Sequence, residues 1–485
     1  MKALFKYVLF ILCALVVIVL IRANYLYEDN QYQPQKQVTR VEVNVPEVIS
    51  RLSQAIQIKT VSKDDVASFD PQPFLQFHAF LQNNYPNIYQ HSQPRLINDY
   101  SLVYKFTGKN TELKPILLMG HMDVVSVDDE TLSKWSKEPF AGIVDDDFVW
   151  GRGAIDDKST VMALMEAMEL FLSNGKQLER TVYYAFGHDE EVGGARGAAK
   201  VAEYFTQQGI EFEFVLDEGG AIVEGIVTAV DKPVAIIGVA EKGFMNLKLS
   251  VAQNGGHSST PPNNTGLGVL SQAIVKLENN QFPATLEFTN QTFEALAYYA
   301  NFKSRVGMAN QWLFGPVLEN ALLADPKSAA SMRTTMATTM ASGSSKSNIL
   351  PTLSTMVINS RILPGDTWQS VKDRVVEIVD DPRVEVTVYM NNNPSPVSST
   401  DTFGYRLIEQ SIREFDPEVF VAPYLVQGGT DSKYYYPLSD SIYRFLMVRV
   451  DSELITTVHG IDERIGKQEY VEAVQFFYEV LNRLN

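Results

Sequence analysis

One stretch limits the possible folds of this 485-residue chain more than any other. The β-branched and aromatic run Thr181-Val-Tyr-Tyr-Ala185 leads directly into Phe186-Gly-His-Asp-Glu-Glu-Val-Gly-Gly194. A short apolar run that ends at a glycine-rich segment is typical of a buried strand followed by a loop. In α/β folds, ligands bind in the loops outside the carboxyl ends of such strands. The stretch therefore predicts an α/β fold with an acidic site at the carboxyl edge of its sheet.

The adjacent glutamates of this loop are candidate functional residues. At a strand end, neighbouring side chains point in different directions, so one of Glu190 and Glu191 can hold a cation while the other moves a proton. A solvated acidic turn is the alternative, and it is the simpler interpretation of an isolated Asp-Glu-Glu. The functional interpretation needs partners from other strand ends. His188, in the same loop, is interpreted as structural.

Strand and helix patterns alternate along most of the chain, as expected of a parallel sheet covered by helices. The pattern changes near Gly243 to strands with one solvated face, and the alternation resumes at Asp366. We predict an α/β protein with a helix-covered, mostly parallel sheet in its main domain and an inserted α+β domain; the family resemblance described below implies that the main domain is catalytic and that the insert is a lid or dimerisation domain. The predicted boundaries are 1–23 for a membrane anchor or signal segment, 24–40 for a linker, 41–240 and 365–485 for the main (catalytic) domain, and 241–364 for the insert.

The N-terminal segment is apolar from Ala3 to Ile21 except at Lys6. A membrane span needs about 20 apolar residues, and a lysine can extend its ammonium group to the interface. Lysines precede the run, whereas Glu28 and Asp29 follow it, which favours a cytoplasmic N-terminus and an extracytoplasmic body. A cleaved signal peptide is the alternative, but no clear small-x-small site follows. We expect a tethered protein in the periplasm, outside the cell or in a vacuole-like lumen.

Composition excludes several classes of function. A formal net charge of −17 argues against a nucleic-acid partner, whose phosphates would be repelled. The single cysteine, Cys13, lies in the N-terminal apolar segment, so the body has neither a disulfide nor a thiolate ligand. Any metal must be held by histidine and carboxylate, which suits zinc or a similar divalent ion.

Candidate metal ligands follow the predicted strands. In His121-x-Asp123, the histidine can coordinate while the aspartate fixes its other ring nitrogen. Asp156 and Asp157 precede a helix, where Asp157 can serve as a cap and the two oxygens of Asp156 can bridge two ions. Two histidines and three carboxylates are enough for two metals that share one ligand. The candidate ligands are His121, Asp156, Glu191, Asp217 and His459.

These motifs resemble, in order, those of the dizinc metallopeptidase family that contains aminoacylases, glutamate carboxypeptidases and succinyl-diaminopimelate desuccinylases. The N-terminal anchor and the large insert are most similar to its carboxypeptidase S and N-fatty-acyl-amino acid synthase/hydrolase branches. The resemblance covers residues from about 45 to 485. The matching segments are Gly120-His-x-Asp123, Gly151-Arg-Gly-x-x-Asp-Asp-Lys158, Asp189-Glu-Glu-x-Gly-Gly194, Asp217, Gly256-His257, Asn348-Ile-Leu-Pro351, Asn359-Ser-Arg-Ile-Leu-Pro-Gly365 and His459.

The resemblance implies two zinc ions per chain, with Co²⁺ or Mn²⁺ as possible substitutes. It assigns Glu190 as the general base and Asp123 as the residue that orients His121. Asp156 would bridge the two ions. The implied ligand sets are His121, Asp156 and Asp217 for one ion, and Asp156, Glu191 and His459 for the other.

The resemblance also implies a substrate with a free carboxylate. A guanidinium pairs with a carboxylate through two hydrogen bonds, so Arg361 would bind this group, with Asn348 and Gly429 beside it. His257 would stabilise the oxyanion from the lid of a neighbouring subunit, which predicts a homodimer through the inserted domain.

We therefore predict a membrane-tethered dizinc hydrolase that releases a C-terminal amino acid from a small peptide or an N-acyl amino acid. A diamine-type deacylase such as a desuccinylase is one alternative, and the extracytoplasmic location counts against it. A non-catalytic metal-binding receptor is another. Glu190 counts against the receptor, because a binding site needs no spare base beside its ligand.

Overall fold

The computed structural model describes residues 1–34, 38–63 and 65–484. Within these ranges the helices are α1 (Lys2–Tyr25), α2 (Val45–Gln57), α3 (Gln72–Asn84), α4 (Pro86–His91), α5 (Lys158–Ser173), α6 (Ala198–Gln207), α7 (Gly266–Asn279), α8 (Glu287–Leu296), α9 (Phe302–Ala309), α10 (Gln311–Leu323), α11 (Pro326–Met332), α12 (Trp368–Val379), α13 (Phe403–Phe415) and α14 (Lys467–Arg483).

The strands in the same ranges are β1 (Arg95–Ile97), β2 (Ser101–Phe106), β3 (Ile116–His121), β4 (Ile143–Val144), β5 (Phe148–Trp150), β6 (Val182–Gly187), β7 (Val215–Asp217), β8 (Ile222–Val223), β9 (Val234–Glu241), β10 (Gly243–Ala252), β11 (Gly256–His257), β12 (Thr335–Ser342), β13 (Ile349–Leu350), β14 (Leu353–Ile362), β15 (Glu385–Asn392), β16 (Phe420–Val426), β17 (Ile442–Arg444), β18 (Arg449–Val450) and β19 (Arg464–Gly466).

The largest sheet has the order β1-β2-β6-β3-β7-β17-β9-β8-β18, and β16 pairs with β9. Its central strands β6, β3, β7 and β17 are parallel, whereas β1, β2 and β9 add antiparallel pairs on either side. One face packs on α2, α5, α13 and α14, and α6 covers part of the other. The predicted helix-covered α/β sheet is confirmed, and its parallel part carries the strand ends of interest.

Local sequence explains the helices that flank this sheet. Helix α2 has Pro46 in its first turn, where its fixed φ angle suits a helix start and no hydrogen bond is lost. Its buried residues Val48, Ile49, Leu52 and Ile56 lie on one face of the helix. Helix α5 is buried over most of its length and ends before Gly175, whose φ of +66° is the left-handed conformation typical of a helix end.

A second, antiparallel sheet has the order β12-β14-β10-β15, with α7 and α12 packed against its buried residues. Strand β10 follows β9 after a single residue, Lys242, so the chain passes directly from one sheet to the other. Strand β15 pairs with β10 from Ser250 to Phe244. The structure therefore places α12 and β15 in this second layer, which extends to Asn392, past the predicted boundary at residue 364. The helix-strand alternation after Asp366 resembled the catalytic domain, although β15 has the half-exposed pattern expected of the insert.

Helix α1 is long and apolar enough to cross a membrane and is mostly exposed. By length and composition it fits a membrane anchor or a signal segment. Its buried residues, Val19 and Ala23, lie in its C-terminal half, where it packs on α9.

The segment after α1 was predicted to be a linker over 24–40, of which residues 35–37 lie outside the described ranges. Hydrogen bonds join the described part of this segment to β16 and α13. The Gln31 amide nitrogen donates to the Val421 carbonyl at 2.8 Å, and the Val421 amide donates to the Gln31 side-chain oxygen at 2.7 Å. Tyr32 donates its hydroxyl to Glu414 at 2.6 Å. A polar sequence looks like a tether, but amide side chains can equally pair with the backbone of an edge strand such as β16.

Candidate metal centre and active site

Three neighbouring parallel strands bring the predicted site together. Strand β3 lies between β6 and β7, and His121 at its end is opposite Gly187 at the end of β6. The acidic loop 188–191 continues from β6, and Asp217 ends β7. Because carboxyl ends of parallel strands meet at one edge, the motifs that are far apart in sequence converge there, as predicted.

Asp156 is the shared residue of this site. One of its carboxylate oxygens lies 2.9 Å from Nε2 of His121, and the other lies 3.0 Å from Nε2 of His459. His459 Nε2 also lies 2.9 Å from a carboxylate oxygen of Glu191. Potential ligand atoms of His121, Asp156 and Glu218 lie within 4.8 Å of one another, and the same holds for Asp156, Glu191 and His459. The arrangement is that of two ligand groups bridged by one carboxylate.

The first group contains Glu218 in the place predicted for Asp217. The Asp217 carboxylate is turned away, and it accepts the backbone N–H groups of Ser432 at 2.9 Å and of Glu218 at 3.0 Å. Successive residues at a strand end point to opposite sides, so only one of the two can face His121. The structure therefore corrects the ligand assignment by one residue. Asp217 instead holds the loop that contains Ser432.

Asp123 holds the two adjacent glutamates apart. Its two carboxylate oxygens accept the backbone N–H groups of Glu190 and Glu191, both at 3.1 Å. The Glu191 side chain reaches His459, whereas a carboxylate oxygen of Glu190 lies 4.0 Å from Nε2 of His121. Nδ1 of His121 lies 3.4 Å from a carboxylate oxygen of Asp123 and 3.0 Å from its carbonyl oxygen. Asp123 thus orients the ring, and the two glutamates have the separate positions that the sequence predicted.

Two further acids fix the ligands. Asp157 accepts the backbone N–H of His121 at 3.0 Å, so it does more than begin α5. Glu463 is fully buried, pairs with Arg152 at 2.6 Å and accepts the backbone N–H of Asp156 at 3.1 Å. Sequence reasoning did not single out Glu463, although it closes the same motif that contains His459.

The buried charges of the site are mainly negative, which favours the binding of cations. Burial raises the pKa of Glu190 well above its ordinary value, and nearby Asp431 adds to that shift although His121 opposes it. Burial and Asp156 likewise raise the pKa of Glu218 well above the usual range. Hydrogen bonds to Asp156 and Glu191 raise the pKa of His459 to about 10. Buried carboxylates thus outnumber the histidines that face them, and divalent ions would relieve this repulsion.

Asp431 is a buried acid that sequence reasoning missed. Both of its carboxylate oxygens are buried and have no hydrogen-bond partner among the described residues. An added Cβ at Gly187 or Gly194 would lie within 2.5 Å of this carboxylate, so both glycines are required for its place beside the acidic loop. Burial raises its pKa well above the usual range. The motif Gly428-Gly-Thr-Asp431 could have indicated this acid, but the sequence analysis interpreted only Gly429.

The predicted substrate residues Arg361, His257 and Asn348 lie in the second layer or at its border, whereas Gly429 lies in the loop that follows β16 of the large sheet. Arg361 is on β14, half-buried, with its guanidinium 5.0 Å from the centre of the Phe244 ring. His257 is exposed and bonds to Ser259. Its neighbour Ser258 donates its N–H to the Asn348 carbonyl at 3.1 Å, so the His257 and Asn348 segments are adjacent. The structure does not bring these segments into the metal cluster described above. Their predicted roles remain predictions.

The residues present suit divalent ions. Every candidate ligand is an imidazole nitrogen or a carboxylate oxygen, the donors that zinc accepts. One carboxylate oxygen of the ligand Glu191 is buried without a hydrogen-bond partner in the described part of the chain, which leaves it free for an ion. Ligands of this kind with a further carboxylate beside them, at the carboxyl edge of an α/β sheet, activate water for hydrolysis. The fold and the site therefore define a metal-dependent hydrolase.

Comparison with known proteins agrees with this class. The family model described as peptidase family M20/M25/M40 matches residues 117–483, and the chain belongs to this family. A carboxypeptidase S-like protein of Dictyostelium discoideum is 38% identical over 441 residues, which cover 90% of this chain and 84% of that protein. An N-fatty-acyl-amino acid synthase/hydrolase of Xenopus tropicalis is 36% identical and covers 90% of this chain and 85% of its own length. The two branches suggested by the sequence are thus confirmed.

The fold is also shared with solved structures. Human carnosine dipeptidase 1 superposes with a TM-score of 0.67 at 15% identity, covering 91% of this chain and 96% of that protein. At this identity the likeness establishes the fold alone.

Proposed function

We propose that the protein is a two-zinc hydrolase that cleaves the amide bond preceding a C-terminal amino acid, in small peptides or N-acyl amino acids. The observation that carries the proposal is the pair Glu190 and Glu191. Glu191 joins Asp156 and His459 in a ligand group, while the adjacent Glu190 is left beside His121 without a ligand role. The two sequence relatives, a carboxypeptidase S-like protein and an N-fatty-acyl-amino acid synthase/hydrolase, support the substrate class.

The chain's own residues supply the proton transfers. Divalent ions held by His121, Asp156 and Glu218 and by Asp156, Glu191 and His459 would lower the pKa of a water and polarise the amide carbonyl. Glu190 accepts the proton of the attacking water and returns it to the nitrogen of the leaving amino acid. Asp123 keeps Glu190 in place through its backbone N–H.

Arg361 is the proposed partner of the substrate carboxylate. Its guanidinium lies over the Phe244 ring and forms no ion pair within 4.0 Å with a carboxylate among the described residues. Burial lowers the pKa of Lys242 to about 8, and nearby Arg361 contributes to that shift. Among the described residues, the Lys242 ammonium donates to the carbonyls of Ala330 and Arg333, at 2.7 and 2.8 Å, and forms no ion pair within 4.0 Å, although Asp366 is near enough to oppose the lowering of its pKa. Two buried or half-buried cations without an ion pair favour an anionic ligand. Asn348 and Gly429 are proposed to line the same end of the substrate.

His257 is proposed to complete the site of a neighbouring subunit. Its exposure and its place on the small β11–β13 sheet of the second layer suit a residue that acts on another molecule. This role requires a homodimer through the second layer.

We further propose that α1 is an uncleaved anchor and that the body lies on the extracytoplasmic side. The hydrogen bonds of Gln31 and Tyr32 to the body support an uncleaved segment, because they make α1 and the residues after it part of the fold.

The test is a substrate panel with purified full-length protein. N-acyl amino acids and dipeptides should be hydrolysed, activity should vanish with a chelator and return with zinc, and amidated versions of the same substrates should be poor. Turnover confined to N-succinyl diamines would support the desuccinylase alternative. Stoichiometric zinc binding without turnover of any of these substrates would instead favour the non-catalytic receptor.

A further inference from the structure

Helix α10 is an apolar helix in which no described residue is buried. Its large side chains Trp312, Leu313 and Val317 are 57%, 36% and 66% exposed. Leu313 and Val317 are four residues apart and so lie on the same side of the helix. We call these three residues the α10 face. Neighbouring large apolar side chains in solvent mark an interaction surface, whereas single ones are normal.

The α10 face begins beside the C-terminal turns of α1. Asn310, which precedes α10, donates its side-chain N–H to the Val19 carbonyl at 3.1 Å. Arg22 donates to the carbonyl of Ala309 at 2.9 Å. Arg22 and Trp312 also line one cavity of about 240 Å³. The start of α10 is therefore fixed at the level of residues 19–22 of α1.

The length of α1 places this level at a membrane boundary. The segment from Ala3 to Ile21 has 19 residues, which span about 28 Å as a helix, while the hydrocarbon core is about 30 Å thick. A spanning α1 has no surplus length, so Val19 must lie close to the hydrocarbon boundary. The start of α10 must then lie there as well. Tryptophan is enriched at this depth, and the cation Arg22 suits a lipid phosphate.

We propose that α10 lies in the membrane interface and docks the catalytic body on the bilayer beside α1. This inference rests on the proposed anchor role of α1. The occupant of the α10 face is a lipid surface, because the face continues from the one helix of the described chain that can span a membrane. The net charge of −17 makes the apolar contact the main attraction, so electrically neutral lipids should suffice.

Site-specific fluorescence in vesicles tests the proposal. Three samples each carry an environment-sensitive dye on a single cysteine. In the first, the dye is on the native Cys13, in the middle of α1. Cys13→Ser combined with Val317→Cys reports on the α10 face. Cys13→Ser combined with Val376→Cys is the control, because Val376 is also an exposed valine, at 47%, but lies on α12 of the second layer. Each protein is reconstituted in phosphatidylcholine vesicles with nitroxides attached either near the headgroup or near the end of the acyl chain.

An interfacial helix buries its apolar face about 5–10 Å into the headgroup region. The dye at residue 317 should therefore be quenched more by the shallow nitroxide than by the deep one, the dye at Cys13 should show the reverse order, and the dye at residue 376 should be quenched by neither. Quenching at Cys13 without quenching at 317 would overturn the docking and leave the anchor. No quenching at Cys13 would remove the anchor and the docking together, without bearing on the hydrolase activity. Protection of residue 317 that depends on protein concentration and not on lipid nitroxide would show a second copy on α10, and would also overturn the proposal.

Discussion

Two adjacent side chains with the same chemistry occupy different environments in this site. Glu190 and Glu191 both receive their backbone orientation from Asp123, but only the Glu191 side chain reaches His459. A substitution that removes the charge and keeps the shape should therefore separate their roles.

Glu190→Gln should retain its metals and lose activity, because the amide cannot accept a proton. The expected loss in turnover is about 10²–10⁴-fold. Glu191→Gln should lose metal, because an amide is a poor replacement for a carboxylate ligand. Elemental analysis and turnover are measured on the same preparations. Near wild-type turnover of Glu190→Gln would assign the base elsewhere.

The pair Asp217 and Glu218 provides a second, independent test. Glu218→Gln should lower the metal content from about two ions to about one per chain, because Glu218 faces His121 and Asp156. Asp217→Asn should keep both ions, with affinity lowered by at most about 10–100-fold, because Asp217 only positions its neighbours. Metal content is measured after dialysis against a weak chelator. The reverse result would restore Asp217 as the ligand.

Arg361→Ala should lower kcat/KM for substrates with a free carboxylate. The loss should be equivalent to about 1.5–3 kcal/mol, the free energy of a hydrogen bond to a charged group. The amidated substrates, already poor, should change little. Arg383→Ala is the matched control, because Arg383 is an exposed arginine of the second layer that pairs with Asp381. Equal losses on both kinds of substrate would make Arg361 structural.

The sequence predicted most of these residues because each motif joins a recognisable strand end. It could not decide between Asp217 and Glu218, since the choice depends on where β7 ends and in which direction each side chain then points. It also missed Asp431 and Glu463. Their importance comes from burial beside residues that are more than 200 positions away in the chain.

At the scale of elements, patterns with a strong period were predicted well. The sequence pattern predicts helices over about 266–279 and from Lys467 to Leu484. Helix α7 has the first of these ranges, and α14 matches the second closely, because apolar residues recur on one face of each. The assignment of α12 and β15 to a layer could not be predicted. Either sheet could accept them, and the choice depends on pairing with β10, which precedes β15 by more than 130 residues.

The contact of Gln31 with β16 leads to a prediction about an element. Gln31→Ala should leave the buried N–H and C=O of Val421 without partners and lower the free energy of unfolding by about 1–3 kcal/mol. Chemical denaturation in detergent measures this. Gln33→Ala is the control, because Gln33 makes only exposed or half-exposed hydrogen bonds nearby. Equal stability of the two variants would mean that the contact contributes nothing.

At the scale of the whole molecule, the predicted role of His257 requires a second copy. Glu190→Ala and His257→Ala should each be nearly inactive alone. A mixed dimer should regain one working site, because the His257→Ala chain keeps its base and borrows the histidine of its partner. Differently tagged chains are co-expressed, and the doubly tagged species is assayed. A mixed dimer as inactive as both parents would place His257 in its own chain's site or outside catalysis.

The Gln31 contact also bears on self-assembly. Strand β16 pairs with β9 on one side, and a strand with unpaired backbone groups is a template for aggregation. The Gln31 side chain bonds to both the N–H and the carbonyl of Val421, as a neighbouring strand would. Pro423, two residues later, has no backbone N–H to donate. A chain shortened to begin after residue 34 would therefore keep its metal ligands yet expose this edge. Thr292 of α8 would still bond to the Pro423 carbonyl, but the peptide group of Val421 would be unpaired. We expect the shortened chain to associate edge to edge in solution through this group, so that the N-terminal segment contributes to solubility.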